Sequence, residues 1–368
     1  MKYDYVVVGS GLFGCVFAQQ AKEQGKKVLI VEQRAHIGGN CYSYDYEDSK
    51  INIHKYGTHI FHTNNTKVWE YITRFTKFNR YQHRVLTTHK EKVYSMPINL
   101  GTVNSFYGLN MKPAELPAFL ESKRGNIKSP KNLEEKAISL IGQDLYEAFI
   151  KEYTQKQWGR DPKELPASII TRLPVRVSYN DSYFSDLYQG IPVDGYTPIF
   201  ERMTDGIPVE YGVDFLADQS HWRSQANNVV YTGPIDRFFN YEYGRLNWRS
   251  VRFETEYHGT LDDYQGTSVM NYADMSVGFT RIHEPKHLHL EKAKRHKGTV
   301  TVREYSHVDH NAPYYPVNAE QDRNMFKLYE DLKSQEGDVI FGGRLAEYKY
   351  YDMHHVIASA LTASKKEL

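Results

Sequence analysis

The pattern of apolar positions is most informative in the first forty residues. A short run rich in β-branched residues, 5–8, is typical of a buried parallel strand. A glycine-rich segment, 9–14, follows at once, and the pattern then predicts a helix over 15–24 that ends before a glycine. A second apolar run, 27–31, predicts the next strand and leads directly to Glu32. These residues therefore predict a strand, a helix and a second strand in close succession.

The glycines of this segment fit the G-x-G-x-x-G fingerprint of dinucleotide-binding folds, with Gly9, Gly11 and Gly14 at the glycine positions. The first permits a tight turn, the second lets the backbone approach a pyrophosphate, and the third lets the helix pack closely on the strand. The helix N-terminus attracts negative charge, and Glu32 is placed to accept hydrogen bonds from a ribose. The combination predicts an adenine-dinucleotide site, and a glycine-rich turn without a ligand is the alternative.

The residues after Glu32 decide which dinucleotide is favoured. Gly38 and Gly39 follow soon after the acid, where a nicotinamide enzyme would usually begin its next crossover helix. A second glycine pair suggests that more backbone approaches an extended cofactor. This arrangement resembles the large FAD family that includes the amine oxidases, so FAD is favoured over NAD.

Composition narrows the setting of the protein. A formal net charge of +1 over 368 residues argues against bulk binding to nucleic acid or acidic lipid. With only Cys15 and Cys41 present, a disulfide is not expected and the cytoplasm is the predicted compartment. We expect neither a signal peptide nor a membrane span, because a strand begins within four residues of Met1 and no apolar run approaches the required length.

The rest of the chain alternates between strand-like and helical patterns. Residues 78–100 have strand-like stretches, 102–172 are helical with helices predicted over 133–141 and 144–157, and 245–305 alternate as in an antiparallel sheet. Four histidines in this last stretch are expected to be exposed turn and edge residues and not metal ligands: His283, His287, His289 and His296.

A final strand over 338–342 and a helix over 353–361, with Asp352 as its N-cap, return the chain to the nucleotide fold. The predicted fold class is α/β, with a discontinuous FAD-binding Rossmann-like domain, a helical insertion domain and an antiparallel β-sheet domain. The predicted boundaries are 1–77 with 205–240 and 335–368 for the FAD-binding domain, 100–200 for the helical substrate and lid domain, and 78–99 with 241–334 for the sheet domain.

Longer motifs carry a more specific resemblance that covers essentially the whole chain in order. Tyr-Thr-Gln-Lys-Gln-Trp-Gly at 153–159 and Gly-Gly-Arg-Leu at 342–345 resemble bacterial UDP-galactopyranose mutases. Further matching motifs lie at 59–63, 165–169, 172–176, 270–272, 313–316 and 350–353.

This resemblance implies an isomerase that interconverts UDP-galactopyranose and UDP-galactofuranose, for use in cell-surface polysaccharide. The reaction has no net redox change, yet it implies reduced FAD whose N5 attacks the anomeric carbon and expels UDP. It also implies a homodimer, with a nucleotide sugar as the small-molecule partner and no metal. The residues alone reveal no Ser-His-Asp, paired-carboxylate or metal constellation, but arginine interleaved with tyrosine suits a diphosphate and a flat base.

The resemblance also implies roles for individual residues. Arg172 and Arg281 are expected to neutralise the pyrophosphate and His62 to lie beside flavin N5, with Arg172 on a mobile lid, 165–177. The expected substrate-binding residues are His83, Phe149, Tyr153, Thr154, Trp158, Arg172, Tyr183, Arg249, Asn271, Arg281, Tyr314 and Tyr350. The expected cofactor-binding residues are Gly9, Gly11, Phe13, Gly14, Glu32, Gln33, Gly39, Asn40, His59, Ile60, Arg344, Tyr351, Asp352 and Met353.

One position departs from the family pattern, because the family often has asparagine where this chain has His83. Two other readings of the sequence stay open. A flavin oxidoreductase of the amine-oxidase type would explain the FAD motifs but not the arginine pair. A non-catalytic flavin or nucleotide-sugar binding module would not need the lid.

Overall fold

The computed structural model describes residues 2–172 and 174–368, with the backbone alone at positions 171 and 172. Its strands are β1 (Tyr3–Val8), β2 (Val28–Glu32), β3 (Ser43–Asp45), β4 (Asn52–His54), β5 (Phe61–Thr63), β6 (Val85–His89), β7 (Lys92–Met96), β8 (Tyr188–Gly190), β9 (Val209–Tyr211), β10 (Ala226–Tyr231), β11 (Trp248–His258), β12 (Val269–Tyr272), β13 (Arg281–His283), β14 (Thr299–His307), β15 (Tyr315–Pro316) and β16 (Val339–Phe341).

The α-helices are α1 (Leu12–Glu23), α2 (Thr66–Ile72), α3 (Leu100–Tyr107), α4 (Leu116–Lys123), α5 (Leu133–Ile141), α6 (Gln143–Tyr146), α7 (Glu152–Trp158), α8 (Thr197–Met203), α9 (Gln219–Gln225), α10 (Ile235–Phe238), α11 (Leu290–Ala293), α12 (Glu320–Lys333) and α13 (Met353–Glu367). Short 3₁₀ turns lie at Gly39–Cys41, Pro162–Glu164, Ala167–Arg172, Phe215–Ala217 and Pro285–Leu288. In the described part of the chain, no helix is long and apolar enough to cross a membrane.

A parallel five-stranded sheet forms the nucleotide fold, in the order β16-β10-β1-β2-β9. Both of its faces are buried, as expected for a continuous apolar run. Val7 of β1 packs with α1 and α13, whereas Val6 packs on the opposite face with Tyr329 of α12. Strands from three distant parts of the chain meet here, which confirms the predicted discontinuous Rossmann-like fold.

A mixed seven-stranded sheet has the order β15-β11-β14-β13-β12-β6-β7. Its neighbours are antiparallel, as predicted, except that β12 and β6 run parallel, with Met270 opposite Leu86. The hairpin β6–β7 comes before the helical region in the sequence. In the sheet, β6 pairs with β12, which comes after that region. The predicted domain boundaries stay predictions.

The helical region has its own core, to which α3, α4 and α5 contribute Leu100, Leu116 and Leu133. The helix predicted over 144–157 is interrupted by a π-helical turn, Glu147–Lys151, between α6 and α7. The wider turn allows three consecutive residues, 148–150, to be buried in this core. The cap predicted for α5 is confirmed, because Asn132 Oδ1 accepts a hydrogen bond from Glu135 N at 2.9 Å.

The prediction that the four histidines of the sheet region are exposed is wrong: two are buried, and His287 and His296 are only partly exposed. His283 on β13 and His289 after the 3₁₀ turn Pro285–Leu288 are buried, at 3% and 5% exposure. The alternation along β13 points the His283 ring inward, where Nε2 lies 3.0 Å from Glu304 Oε2. His283 and His289 are thus interior residues that pair with carboxylates.

Candidate active site

A cavity lies where the ends of β1, β2 and β10 meet, and the glycine fingerprint forms its floor. Gly9 has φ of +100°, and a Cβ there would overlap Thr232 Oγ1. A Cβ on Gly14 would overlap the Gly9 carbonyl oxygen, so this glycine permits the close packing of α1 on β1. Gly14 therefore shapes the cavity without lining it.

The N-terminus of α1 opens into this cavity. Its N-cap is Gly11, which offers no side-chain cap, and no acidic residue lies in the first turn. The first amides of α1 are therefore left for an anionic ligand such as a pyrophosphate. Gly39 approaches from the other side, and a Cβ on it would lie 3.0 Å from Gly11 Cα.

The Glu32 carboxylate is buried at the end of β2 and is held in a defined orientation. It accepts hydrogen bonds from Ser10 N, Ser10 Oγ and Arg34 N, each at 2.8 Å. An anchored carboxylate that lines the cavity is suited to bind ribose hydroxyls. Together with the uncapped helix N-terminus, it fits the adenosine diphosphate part of FAD.

Most of the expected cofactor-binding residues line this cavity: Gly9, Gly11, Phe13, Glu32, Gln33, Gly39, Asn40, His59, Arg344 and Met353. Gly14, Ile60, Tyr351 and Asp352 do not line it. Sequence reasoning missed two further segments of the lining, 213–216 and 232–234. They follow β9 and β10, and the position of these strands beside β1 and β2 was the signal that could have revealed them.

Arg344 connects the cavity to an aromatic cluster. Its guanidinium donates to Tyr351 O at 2.6 Å and lies 5.5 Å from the centre of the Tyr315 ring. Tyr315 in turn stacks on Tyr350, with ring centres 5.1 Å apart. The Tyr314 hydroxyl donates to the Tyr56 carbonyl.

Beyond these rings, Arg281 on β13 is held by two partners. Its Nη2 donates to the Tyr153 hydroxyl at 2.5 Å, and its Nε lies 3.3 Å from Glu304 Oε1. Burial alone would raise the pKa of Glu304, but the Arg281 charge and the hydrogen bond with His283 outweigh it and lower this pKa to about 2. Arg281 is thus a permanent cation, fixed in direction beside several tyrosines, which suits a diphosphate.

A second aromatic cluster surrounds Phe149, which lies in the π-helical turn just before Tyr153. Phe149 contacts Tyr94 and His89 edge-on, with ring centres 5.0 Å and 5.7 Å apart. Thr154 and Trp158 of α7 are buried, and Trp158 packs in the helical core. A flat base could bind against such a cluster.

Lys156 fastens α7 to the loop that joins β12 and β13. Its Nζ lies within 2.6–3.2 Å of four carbonyl oxygens, which share its three N–H donors: those of Tyr272, Asp274, Val277 and Phe279. This places Tyr153 of α7 against Arg281 of β13.

Two other expected substrate-binding residues differ in their bonding. Arg249 donates to Gln157 O and to Ser306 Oγ, each at 3.0 Å, and therefore supports the end of α7. Asn271 has a buried Oδ1 with no hydrogen-bond partner among the described residues. An orphaned acceptor of this kind is expected at a ligand site.

His62 and His83 lie on either side of Phe184. The His62 ring stacks on Phe184 with centres 3.6 Å apart, and the His83 ring lies 5.8 Å from it. Burial lowers the pKa of His83 to about 3, with Arg281 adding to the effect, and its Nδ1 lies 3.0 Å from the Tyr81 hydroxyl. His83 is therefore a neutral residue. Tyr183 lies 5.3 Å from the His83 ring.

The lid expected over 165–177 begins on the helical core, where Leu165 and Ile170 are buried. Its Leu165 carbonyl accepts a hydrogen bond from Leu133 N at 2.9 Å. The Arg172 side chain and Leu173 lie outside the described residues. The diphosphate contact expected of Arg172 therefore stays a prediction.

Comparison with known proteins shows the family to which this chain belongs. The family model for UDP-galactopyranose mutase matches residues 148–350, and a model for NAD(P)-binding Rossmann-like domains matches 7–75. The chain is 41% identical to a probable UDP-galactopyranose mutase of Klebsiella pneumoniae over 99% of its own length and 94% of that protein. The chain belongs to the UDP-galactopyranose mutase family. The predicted enzyme class, an isomerase of the mutase type, and the predicted cofactor, FAD, are confirmed with it.

The chain is also similar to a protein that is named for a different substrate. A dTDP-fucopyranose mutase of Escherichia coli is 38% identical over 98% of this chain and 97% of its own length. A crystal structure of reduced UDP-galactopyranose mutase has the same fold, with a TM-score of 0.74 at 14% identity, over 99% of this chain and 95% of that one.

Two groups of side chains could present metal ligands in the described residues. Asp352, His354 and His355 lie at the start of α13, and Asp263, Glu284 and His287 lie beside the mixed sheet. Their burial and bonding do not distinguish them from ordinary polar clusters. The absence of a metal stays a prediction.

Proposed function

We propose that this member of the mutase family interconverts UDP-galactopyranose and UDP-galactofuranose. The observation that carries the proposal is Arg281, a cation fixed between Glu304 and Tyr153 next to the dinucleotide cavity. A binding module for FAD alone has no use for a second anion site near Tyr315, the ring that Arg344 of the cavity faces.

In this proposal, different residues of the chain bind different parts of the substrate. Arg281 neutralises the diphosphate, and Arg172 is proposed to add a second charge from the lid. Phe149 and Tyr153 surround the uracil, while Tyr183 and Tyr350 donate to phosphate oxygens. Tyr314 can join them only by giving up its hydrogen bond to the Tyr56 carbonyl. Reduced FAD, when bound, supplies the nucleophilic N5 for the anomeric carbon. UDP leaves in this step and must return, so a site that holds the diphosphate throughout is required.

The proposal extends to the biological setting. The cytoplasm suits an enzyme that works with reduced FAD, and both cysteines are free and buried. The product is proposed to supply galactofuranose for cell-surface polysaccharide. A homodimer is proposed from the family resemblance alone.

The deciding experiment is product analysis of UDP-galactofuranose incubated with the purified holoprotein and dithionite. We expect conversion to UDP-galactopyranose with reduced FAD and no conversion with oxidised FAD under strict exclusion of reductant. A parallel reaction with dTDP-fucopyranose tests the activity for which the E. coli relative is named. Preference for the dTDP-sugar would replace the proposed substrate, and steady oxygen consumption without isomerisation would favour the oxidoreductase reading.

The role of N5 needs a separate test. Protein reconstituted with 5-deaza-FAD, in which carbon replaces N5, should bind the cofactor and UDP but lose turnover. Full activity with this analogue would contradict nucleophilic catalysis at N5.

A further inference from the structure

The His62 ring on β5 is held on three sides. Its Nδ1 lies 2.6 Å from Asp186 Oδ2, one face stacks on Phe184 with an interplanar angle of 12°, and its edge meets the His354 ring at 5.0 Å between centres. Only 12% of the side chain is exposed. The ring therefore has a single orientation. Within the described residues its Nε2 makes no hydrogen bond, which leaves this nitrogen for a ligand.

Asp186 is itself held in place. Its Oδ1 accepts from Asn64 Nδ2 at 2.5 Å, and Asn64 Oδ1 accepts from Leu187 N at 2.8 Å. The antiparallel pairing of β5 with β8, in which Thr63 lies opposite Tyr188, brings these residues together. Each carboxylate oxygen thus has one partner, and Oδ2 is committed to His62.

This pair lies between the two halves of the site. His354, on one side of His62, follows Met353, which lines the dinucleotide cavity. Phe184, on the other side, leads to His83 and Tyr183. The titratable groups that face His62 are Asp186, His354 and His83, and burial lowers the pKa of His354 to about 4, with His355 and His62 adding to the effect. Asp186 is the one carboxylate among these groups, and it contacts Nδ1 directly.

A carboxylate can only accept a hydrogen bond, so it places the proton of a neutral imidazole on the nitrogen that faces it. We propose that Asp186 is a positioning residue that holds His62 as its Nδ1–H tautomer, so that Nε2 presents a lone pair to the reacting sugar. This inference rests on the proposed function, which places His62 beside the reaction centre.

The proposed role balances in protons. When one ring form converts to the other, the hydroxyl that closes the new ring loses a proton and the oxygen of the opened ring gains one. Because the old ring opens before the new one closes, the opened-ring oxygen takes its proton from solvent. His62 Nε2 then takes the proton of the closing hydroxyl and releases it to solvent, so no net proton is consumed. While the ring is charged, Asp186 stabilises the imidazolium.

The tautomer can be measured without any variant of Asp186. Holoprotein with ¹⁵N-labelled histidine is studied by two-bond nitrogen–proton correlation, about two pH units above the ordinary histidine pKa of about 6.5. The His62→Gln variant assigns the signals. We expect a protonated Nδ1 and an unprotonated Nε2 for His62, and a proton on Nε2 would overturn the proposal.

The Asp186→Asn variant tests the consequence. Because the amide can donate to Nδ1, the tautomer should switch, and kcat should fall about 10- to 100-fold. KM should stay within about threefold, as expected when an interaction is made only in the transition state. FAD content, measured from absorbance, should be unchanged.

The control is Asp263→Asn, because Asp263 also faces a histidine, with His287 Nε2 at 3.2 Å, but lines neither part of the site. It should change neither the His62 tautomer nor kcat. A switched tautomer with normal kcat, or a reduced kcat with an unchanged tautomer, would refute the role of Asp186. If the wild-type protein isomerises no nucleotide sugar, the proposed function fails, whereas the tautomer is still decided by the spectrum.

Discussion

Arg281 is the residue on which the proposed substrate site most depends. Its guanidinium is oriented from two directions, by Tyr153 on α7 and by Glu304 on β14. A lysine could carry the charge but could not make these planar contacts together. These contacts therefore fix the orientation of the guanidinium as well as its position.

Replacement of Arg281 by methionine should reduce turnover without loss of FAD. A charge-assisted hydrogen bond contributes roughly 1.5–3 kcal/mol, which corresponds to a decrease of about 10- to 100-fold in kcat/KM. Steady-state kinetics and flavin absorbance measure the two quantities. Arg252→Met is the control, since Arg252 is half-exposed and pairs with Glu254 on the mixed sheet. Near-normal kinetics of Arg281→Met would remove it from the site.

Glu304 should make stability depend on acid pH. Its folded pKa of about 2 lies below the ordinary value of about 4.3, so the carboxylate stabilises the fold above pH 4.3. This stabilisation is lost as the pH falls through the folded pKa. Glu304→Gln should therefore lower the free energy of unfolding at pH 7, by about 1–3 kcal/mol, and less near pH 2. Urea unfolding at both pH values tests this, and a difference independent of pH would contradict it.

At the scale of elements, α7 is a short helix that owes its position to contacts made by its C-terminal turn. Lys156 binds the loop between β12 and β13, and Arg249 binds the carbonyl of Gln157 near its C-terminus. The helix carries Tyr153, Thr154 and Trp158, so these contacts set the position of three expected substrate residues. Their disruption should affect the nucleotide more than the flavin.

Lys156→Met should therefore weaken UDP binding about 10-fold through the loss of charged hydrogen bonds that align α7, with FAD content unchanged. Isothermal titration with UDP measures this effect. Lys163→Met is a matched control, because its ammonium is largely exposed beside Glu134. If Lys156→Met bound UDP normally, the four carbonyl contacts would have no role in the nucleotide site.

The lid, 165–177, is the other element expected to respond to UDP. UDP should protect this segment from proteolysis and change tryptophan fluorescence, because Trp158 lies just before it on α7. Arg172→Ala should weaken both effects, and Trp158→Phe identifies the signal among the four tryptophans. Unchanged cleavage in the presence of tightly bound UDP would show that the lid does not close on the diphosphate.

At the scale of the whole molecule, features that depend on neighbouring residues were predicted better than features that depend on contacts between distant residues. The strand, helix, strand and Glu32 of the first forty residues follow from neighbouring positions, and the structure has them all. The segments 213–216 and 232–234 reach the cavity only because β9 and β10 pair with β2 and β1. Asp186 lies 124 positions from His62, and no local signal joins them. The buried His283 was missed because its partner, Glu304, lies on another strand.

The strand order also governs when the cofactor site can exist during synthesis. The cavity needs β10 beside β1, and it is lined by Gly343, Arg344 and Met353 near the start of α13. These residues leave the ribosome more than three hundred positions after Gly9, so the lining of the cavity stays incomplete until they emerge. We therefore expect FAD to be held stably only after α13 has emerged, and ribosome-bound chains that stop before β16 should be translated normally yet carry no flavin.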